Sequence, residues 1–141
     1  MTRNTFVKRV QGVPEPGRLD IDTGRFTPVD PASAPRTHGT LAVVQGQTFA
    51  LYVDAGTLWL QWNERRWPMA DLALTYGHDL EAQTTTFAAA DRSITYPAWW
   101  RGDPAFDPLI PEEDELHDWL AYAAVVHSDP DMQASMLKSW A

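Results

Sequence analysis

From Leu41 to Tyr96 the chain repeats one pattern, a short segment of apolar, β-branched or aromatic residues followed by a tight-turn signal. This repetition constrains the fold more than any other feature, because short strands joined by tight turns build an antiparallel meander. Leu41-Ala42-Val43-Val44 leads to Gly46-Gln47, a Gly-x pair suited to a two-residue turn, and Thr48-Phe49-Ala50-Leu51-Tyr52-Val53 follows. Asp54-Ala55-Gly56 then turns the chain into Thr57-Leu58-Trp59-Leu60-Gln61-Trp62, a run dense in residues that suit a pleated surface. Period-two alternation places Leu58, Leu60 and Trp62 on one face, expected to be the core face, and Thr57, Trp59 and Gln61 on the other. Trp59 should therefore be more exposed than Trp62. Trp67 to Tyr76 reads as a strand entered through Pro68, with Leu72, Leu74 and Tyr76 alternating and Gly77-His78-Asp79 breaking it. Thr84 to Phe87 and Ser93 to Tyr96 read as a strand pair with Asp91-Arg92 at the turn. Ala88-Ala89-Ala90 would tolerate a helix, but the strand pair is preferred.

The flanks differ in texture. Residues 1–39 are rich in Pro and Gly, and Pro14, Pro16, Pro28, Pro31 and Pro35 break any long regular element. Within them Arg18 to Asp22 and Arg25 to Val29 flank Thr23-Gly24, which predicts a short hairpin, and Asp30 to Gly39 reads as a loop. The tail, residues 102–141, is helical. Pro111 suits the first helical position, and Glu112, Glu113, Asp114 and Glu115 suit the positive end of the helix dipole. Leu116, Trp119, Leu120, Ala123 and His127 recur at helical spacing with Val126 beside them. Ser128-Asp129-Pro130 ends this helix and starts a second, whose apolar stripe is Met132, Met136 and Trp140.

The expectation is a single α+β domain over residues 1–141, with a mostly antiparallel sheet over 40–100, in the form of a meander or half-barrel, covered by the C-terminal helices. A sheet followed by a closing helix resembles the general plan of pleckstrin-homology-like domains, a likeness of element order that leaves function open.

Charge is concentrated in one region. Nine acids and one base lie in residues 102–141, and this segment alone accounts for the whole formal net charge of −8. An acidic region beside tryptophans suggests a surface that meets a basic partner. The same balance argues against nucleic acid, which calls for clustered Lys and Arg. The absence of cysteine removes disulfides, thiol catalysis and cysteine-based metal sites, and fits a reducing compartment. With no signal-like N-terminus and no apolar run long enough for a membrane helix, the expected setting is the cytoplasm. Arginine among the bases and the abundance of Ala point to a G+C-rich bacterial genome.

Motifs with chemistry are few. Asp22-Thr23-Gly24 matches the core triplet of the aspartic proteases, but Arg25 follows where a small residue is usual and no second triplet exists, so a hairpin turn is the preferred reading. Asp20-Ile21-Asp22 fails as a calcium loop because Arg25 and Pro31 stand where Gly and Glu are required. It also fails as a phosphatase motif, since no hydrophobic strand precedes it. Glu113 and Asp114 have helical spacing to His117, which reads as an intrahelical contact ahead of a metal site. No serine sits in a nucleophile elbow and no glycine-rich phosphate loop exists.

Seven tryptophans form the second distinctive feature. Trp62 and Trp119 lie on apolar faces and belong to the core. Trp99-Trp100-Arg101 differs, because adjacent residues in an extended chain point opposite ways, and Trp and Arg are the residues most enriched at binding hot spots. The expected partner-binding set is therefore Trp59, Trp99, Trp100, Arg101, Glu112, Glu113, Asp114 and Glu115, with no catalytic residue, cofactor or metal.

Three functions follow, in order of preference. The first is a non-enzymatic binding protein that docks this acidic surface on a basic partner. Short, cysteine-free chains of this kind are similar in profile to bacterial immunity proteins, which neutralise toxins. The second is a small-molecule or carbohydrate-binding module using exposed tryptophan. The third is a small hydrolase using Asp22 or the Glu113–His117 pair.

Overall fold

The computed structural model describes residues 4–9, 15–30, 32, 37–44, 47–82, 84–97 and 111–141. It is an α+β structure of two sheets and two C-terminal helices. The strands are β1 (Asn4–Arg9), β2 (Glu15–Asp20), β3 (Phe26–Pro28), β4 (Gly39–Val44), β5 (Gln47–Asp54), β6 (Thr57–Trp62), β7 (Arg65–Pro68), β8 (Leu74–Asp79), β9 (Thr84–Ala89) and β10 (Arg92–Pro97). The helices are α1 (Pro111–Ser128) and α2 (Pro130–Ser139).

The larger sheet runs β3-β2-β1-β4-β5-β6-β7 and the smaller runs β10-β9-β8. Among the described residues every pairing is antiparallel except β1 with β4, where Lys8 faces Thr40 and Arg9 faces Leu41 in parallel register. This strand was not anticipated. Its local sequence is short and charged at one end, and it is stabilised by pairing with both β2 and β4.

The tight turns fall close to their sequence signals. Asp54 pairs with Thr57 across Ala55-Gly56, both at positive φ (52° and 77°), which is the twist a two-residue hairpin requires. Val44 pairs with Gln47, so that connection comes one residue earlier than Gly46-Gln47. Ala89 pairs with Arg92, which moves the last turn to Ala90-Asp91 and puts Ala88 and Ala89 in a strand. Two expectations near residue 70 are corrected. A single turn of 3-10 helix, Met69–Asp71, interrupts the segment read as one strand, and Gly77-His78-Asp79 continues β8 instead of breaking it. Pairing with β9 decides the second point, since Gly77, His78 and Asp79 face Thr86, Thr85 and Thr84.

Alternation sorts β5 and β6 onto two buried faces. Phe49, Leu51, Val53, Leu58, Leu60 and Trp62 point into the main core, which α1, α2 and the smaller sheet complete with Phe87, Trp119, Leu120, Ala123, Val126 and Met136. Leu58, Leu60 and Trp62 are buried together, and Trp59 is more exposed than Trp62, as the period-two pattern requires. Trp119 is buried as expected. The opposite face forms a second core of Val7, Leu19, Ile21, Leu41, Ala50 and Tyr52, backed by Phe26, Val43 and Trp59. The larger sheet therefore curls over its own concave side. It is not closed into a barrel.

The seam of this curl is polar. Gln61, fully buried, donates from Nε2 to the Ile21 carbonyl at 2.8 Å and to the Asn63 carbonyl at 2.7 Å, and its Oε1 accepts from the Tyr52 hydroxyl at 2.6 Å. Ile21 follows β2, and β2 is separated from β6 by three strands in the sheet order. The Gln61 side chain thus ties distant strands directly. Gly24, at φ 76°, closes the same seam, and a Cβ there would collide with the Asn63 backbone. Gly56 has a similar φ with open space around it. Gly56→Ala should cost about 1 kcal/mol, the penalty of the left-handed backbone alone. Gly24→Ala should cost about 3 kcal/mol, because the Asn63 turn must also retreat. Urea midpoints of the two variants test this, and equal losses would show that the seam is not close-packed.

The helices carry their expected caps. Asp129 accepts from the backbone N–H groups of Asp131 and Met132, and Pro130 opens α2. His127, near the end of α1, donates through Nε2 to the Leu72 carbonyl at 2.6 Å and fastens the helix to the segment entering β8. Among the described residues no helix is long and apolar enough to cross a membrane.

Candidate functional site

The curled sheet leaves its concave side open between β3 and the β6–β7 turn. The opening holds about 530 Å³, within the range of roughly 300–1,000 Å³ typical of small-molecule pockets. Its apolar floor comes from Phe26, Pro28 and Val43, the first of which lies over Gly17, where a Cβ would strike the ring. Thr23, Thr48 and Asn63 add polar groups. The Thr48 N–H donates to Asn63 Oδ1 at 2.9 Å and the Asn63 N–H donates to the Thr48 carbonyl at 2.8 Å, which fixes this wall.

Three charged residues rim the opening: Arg9, Arg25 and Glu64. Arg9 is half-buried and donates from Nη2 to the Val43 carbonyl at 3.4 Å. Arg25 is exposed and enters no ion pair among the described residues. Glu64 is paired with Arg92 of β10, and the hydrogen bond from that guanidinium holds its carboxyl below the usual range. Asp91 is lowered in the same way by a hydrogen bond from Arg65. These two pairs tie the β6–β7 hairpin to the β9–β10 hairpin and are solvated, so their role is positional.

Trp59 sits on the concave side, half-buried. Its Nε1 donates to the Asp54 carbonyl at 3.2 Å, and the Arg66 guanidinium lies 3.8 Å from its ring centroid. Arg66 in turn bonds Asp54 Oδ2 at 3.0 Å. Burial lowers the Arg66 pKa, but hydrogen bonds with Tyr52 and Asp54 more than offset this and leave it raised. Gln61, expected to share a polar outer face with Trp59, is instead in the interior. The face that alternation marks as polar is met by Ile21, just after β2, and the amide is satisfied there by three hydrogen bonds.

The other residues of the expected partner surface lie in or beside the C-terminal segment. Trp99, Trp100 and Arg101, and the side chains of Glu112, Glu113, Asp114 and Glu115, lie outside the described residues, as does the side chain of His117. The backbone of α1 places those four acids within the first two turns of the helix. Asp22 is an exposed turn residue, with its N–H donating to Asp20 Oδ1 at 3.0 Å. His38 donates through Nδ1 to the Trp140 carbonyl at 2.6 Å, seating the end of α2 on the sheet. Among the described residues no group of three or more His, Cys, Asp or Glu is placed to hold a metal ion.

The opening was not legible in advance. Arg9, Arg25, Thr48 and Asn63 are far apart in sequence and share no motif; the only local sign was Asn63-Glu64, a turn pair between strands. No family model matches this chain, and no characterised protein or solved structure matches it either.

Proposed function

We propose that this is a non-enzymatic binding protein whose acidic helical layer docks on a basic partner protein, in the manner of an immunity-type inhibitor on a toxin. One observation supports the reading above others: the net charge is concentrated in the helical layer. The helical pair from Pro111 to Ser139 contains seven acids and one base, Lys138. It packs on β4, β6 and β8 at one side of the larger sheet. In the β1–β3 half the exposed bases Lys8, Arg18 and Arg25 stand beside the exposed acids Asp22 and Asp30, so that half has no comparable excess of one sign. A one-signed layer steers an oppositely charged partner and raises its association rate. Trp99, Trp100 and Arg101, just before the layer in sequence, supply the aromatic and guanidinium anchors that hot spots favour.

The test is surface-capture kinetics against the product of the neighbouring gene. Reversing Glu112, Glu113 and Glu115 to Lys should slow association about tenfold at low salt, and the gap should close near ~0.5 M salt as screening removes steering. Trp99→Ala or Trp100→Ala should act on dissociation instead, costing about 2 kcal/mol. Association indifferent to both charge reversal and salt would overturn the reading and leave the acids as a solvated helix start.

A further inference from the structure

We infer that the β8–β9 turn is a second contact for the basic partner, with Leu80 as an apolar anchor that enters a pocket rimmed by Lys and Arg on that protein. The inference rests on the docking reading of the helical layer and extends its surface onto the smaller sheet. Among the described residues two large apolar side chains are exposed, Leu80 at 73% and Val125 at 54%. Both fall in the acidic part of the molecule. Val125 is on α1, and Leu80 follows β8, the strand of the smaller sheet against which α1 packs. The β1–β3 half, where the charges are mixed, exposes no such side chain among its described residues.

The turn does not need a leucine. Asp79 Oδ1 accepts the N–H of Glu81 at 3.0 Å and that of Ala82 at 3.1 Å, which fixes the turn from its first residue. Gly, Asn, Asp or Ser ordinarily fill such a tip. Leu80 adds little to the core, so folding does not account for it, whereas covering it on association removes apolar surface from water. Its neighbours Asp79 and Glu81 are exposed acids, and the hairpin from Leu74 to Ala89 contains no Lys or Arg. A leucine with a carboxylate on each side matches an apolar pocket with a basic rim. In such a contact the aliphatic centre slows dissociation and the charged rim speeds association.

The experiment is surface-capture kinetics of the full chain against the product of the neighbouring gene, with a melting curve for each variant. Leu80→Ser should dissociate about tenfold faster with association unchanged, and Leu80→Met, which restores an apolar side chain, should recover most of that loss. Glu81→Lys should slow association about threefold at low salt, and the difference should vanish near ~0.5 M salt. All three variants should melt with the unaltered protein, because Leu80 and Glu81 are exposed and the turn is held by Asp79. If the unaltered protein does not bind, the docking reading falls and this inference with it. If binding occurs and reversal of Glu112, Glu113 and Glu115 slows association, but Leu80→Ser dissociates at the original rate, this inference alone is overturned. A clearly lowered melting temperature for Leu80→Ser would also overturn it, since the leucine would then serve the fold.

Discussion

Phe49→Ala is expected to remove about 4 kcal/mol of stability, the largest loss of any single truncation in the main core. Phe49 is 1% exposed, and its ring centroid lies 5.0 Å from Trp62, 6.0 Å from Trp119 and 6.5 Å from Phe87. One side chain therefore joins β6, α1 and the smaller sheet. Deleting it forfeits the transfer free energy of the ring and leaves a cavity that three rigid aromatic neighbours cannot collapse into. Against a total of about 5–15 kcal/mol for an ordinary domain, that loss is severe. Phe49→Leu, which keeps most of the volume, should cost about 1.5 kcal/mol. Denaturant unfolding followed by tryptophan fluorescence gives both values. A Phe49→Ala loss below about 1.5 kcal/mol would mean that the aromatic cluster is not the organising contact of this core.

Gln61→Leu should cost about 3 kcal/mol although leucine is the more hydrophobic residue and nearly the same size. The substitution removes the donor that serves the Ile21 and Asn63 carbonyls and the acceptor for the Tyr52 hydroxyl. A buried polar group that loses its partner costs about 1–3 kcal/mol, and the affected carbonyls lie at the seam that keeps the sheet curled. Tyr52→Phe alone should cost about 1 kcal/mol. The double variant should be less destabilised than the two separate losses together, by about 1 kcal/mol, because neither member of the Tyr52–Gln61 pair is then left unpaired. A stabilised Gln61→Leu protein would show that Gln61 is not a structural tie.

Several elements could be read locally because their causes are local. Pro111, Asp129 and Pro130 set the helix starts through φ restriction and side-chain capping, and neither depends on the remainder of the fold. Ala55-Gly56 sets a hairpin because its backbone twist matches the strands it joins. Trp62 and Trp119 could be assigned to the core from period alone. Other elements resisted reading because their causes are remote. Gly77-His78-Asp79 carries a turn composition, yet β9 supplies a ladder that holds it extended. β1 has an ordinary local sequence and owes its place to β2 on one side and β4 on the other. The Trp59–Gln61 face was legible as distinct from the core face, but not as a face that another part of the sheet covers.

By itself, then, the sequence determined the α+β class, the turns at Thr23-Gly24 and Ala55-Gly56, the two helices with their starts, and which residues of β6 share a face. These follow from backbone preferences and side-chain period over a few neighbouring residues, which any fold of this chain must respect. Only the tertiary structure decided that the larger sheet curls, that Gln61 is interior, and that Arg9, Arg25, Thr48 and Asn63 surround one opening. Alternation separates two faces of a strand but does not say whether the second meets water or another layer. That choice is made by contacts between residues far apart in the chain, here the reach of Gln61 across the sheet to Ile21.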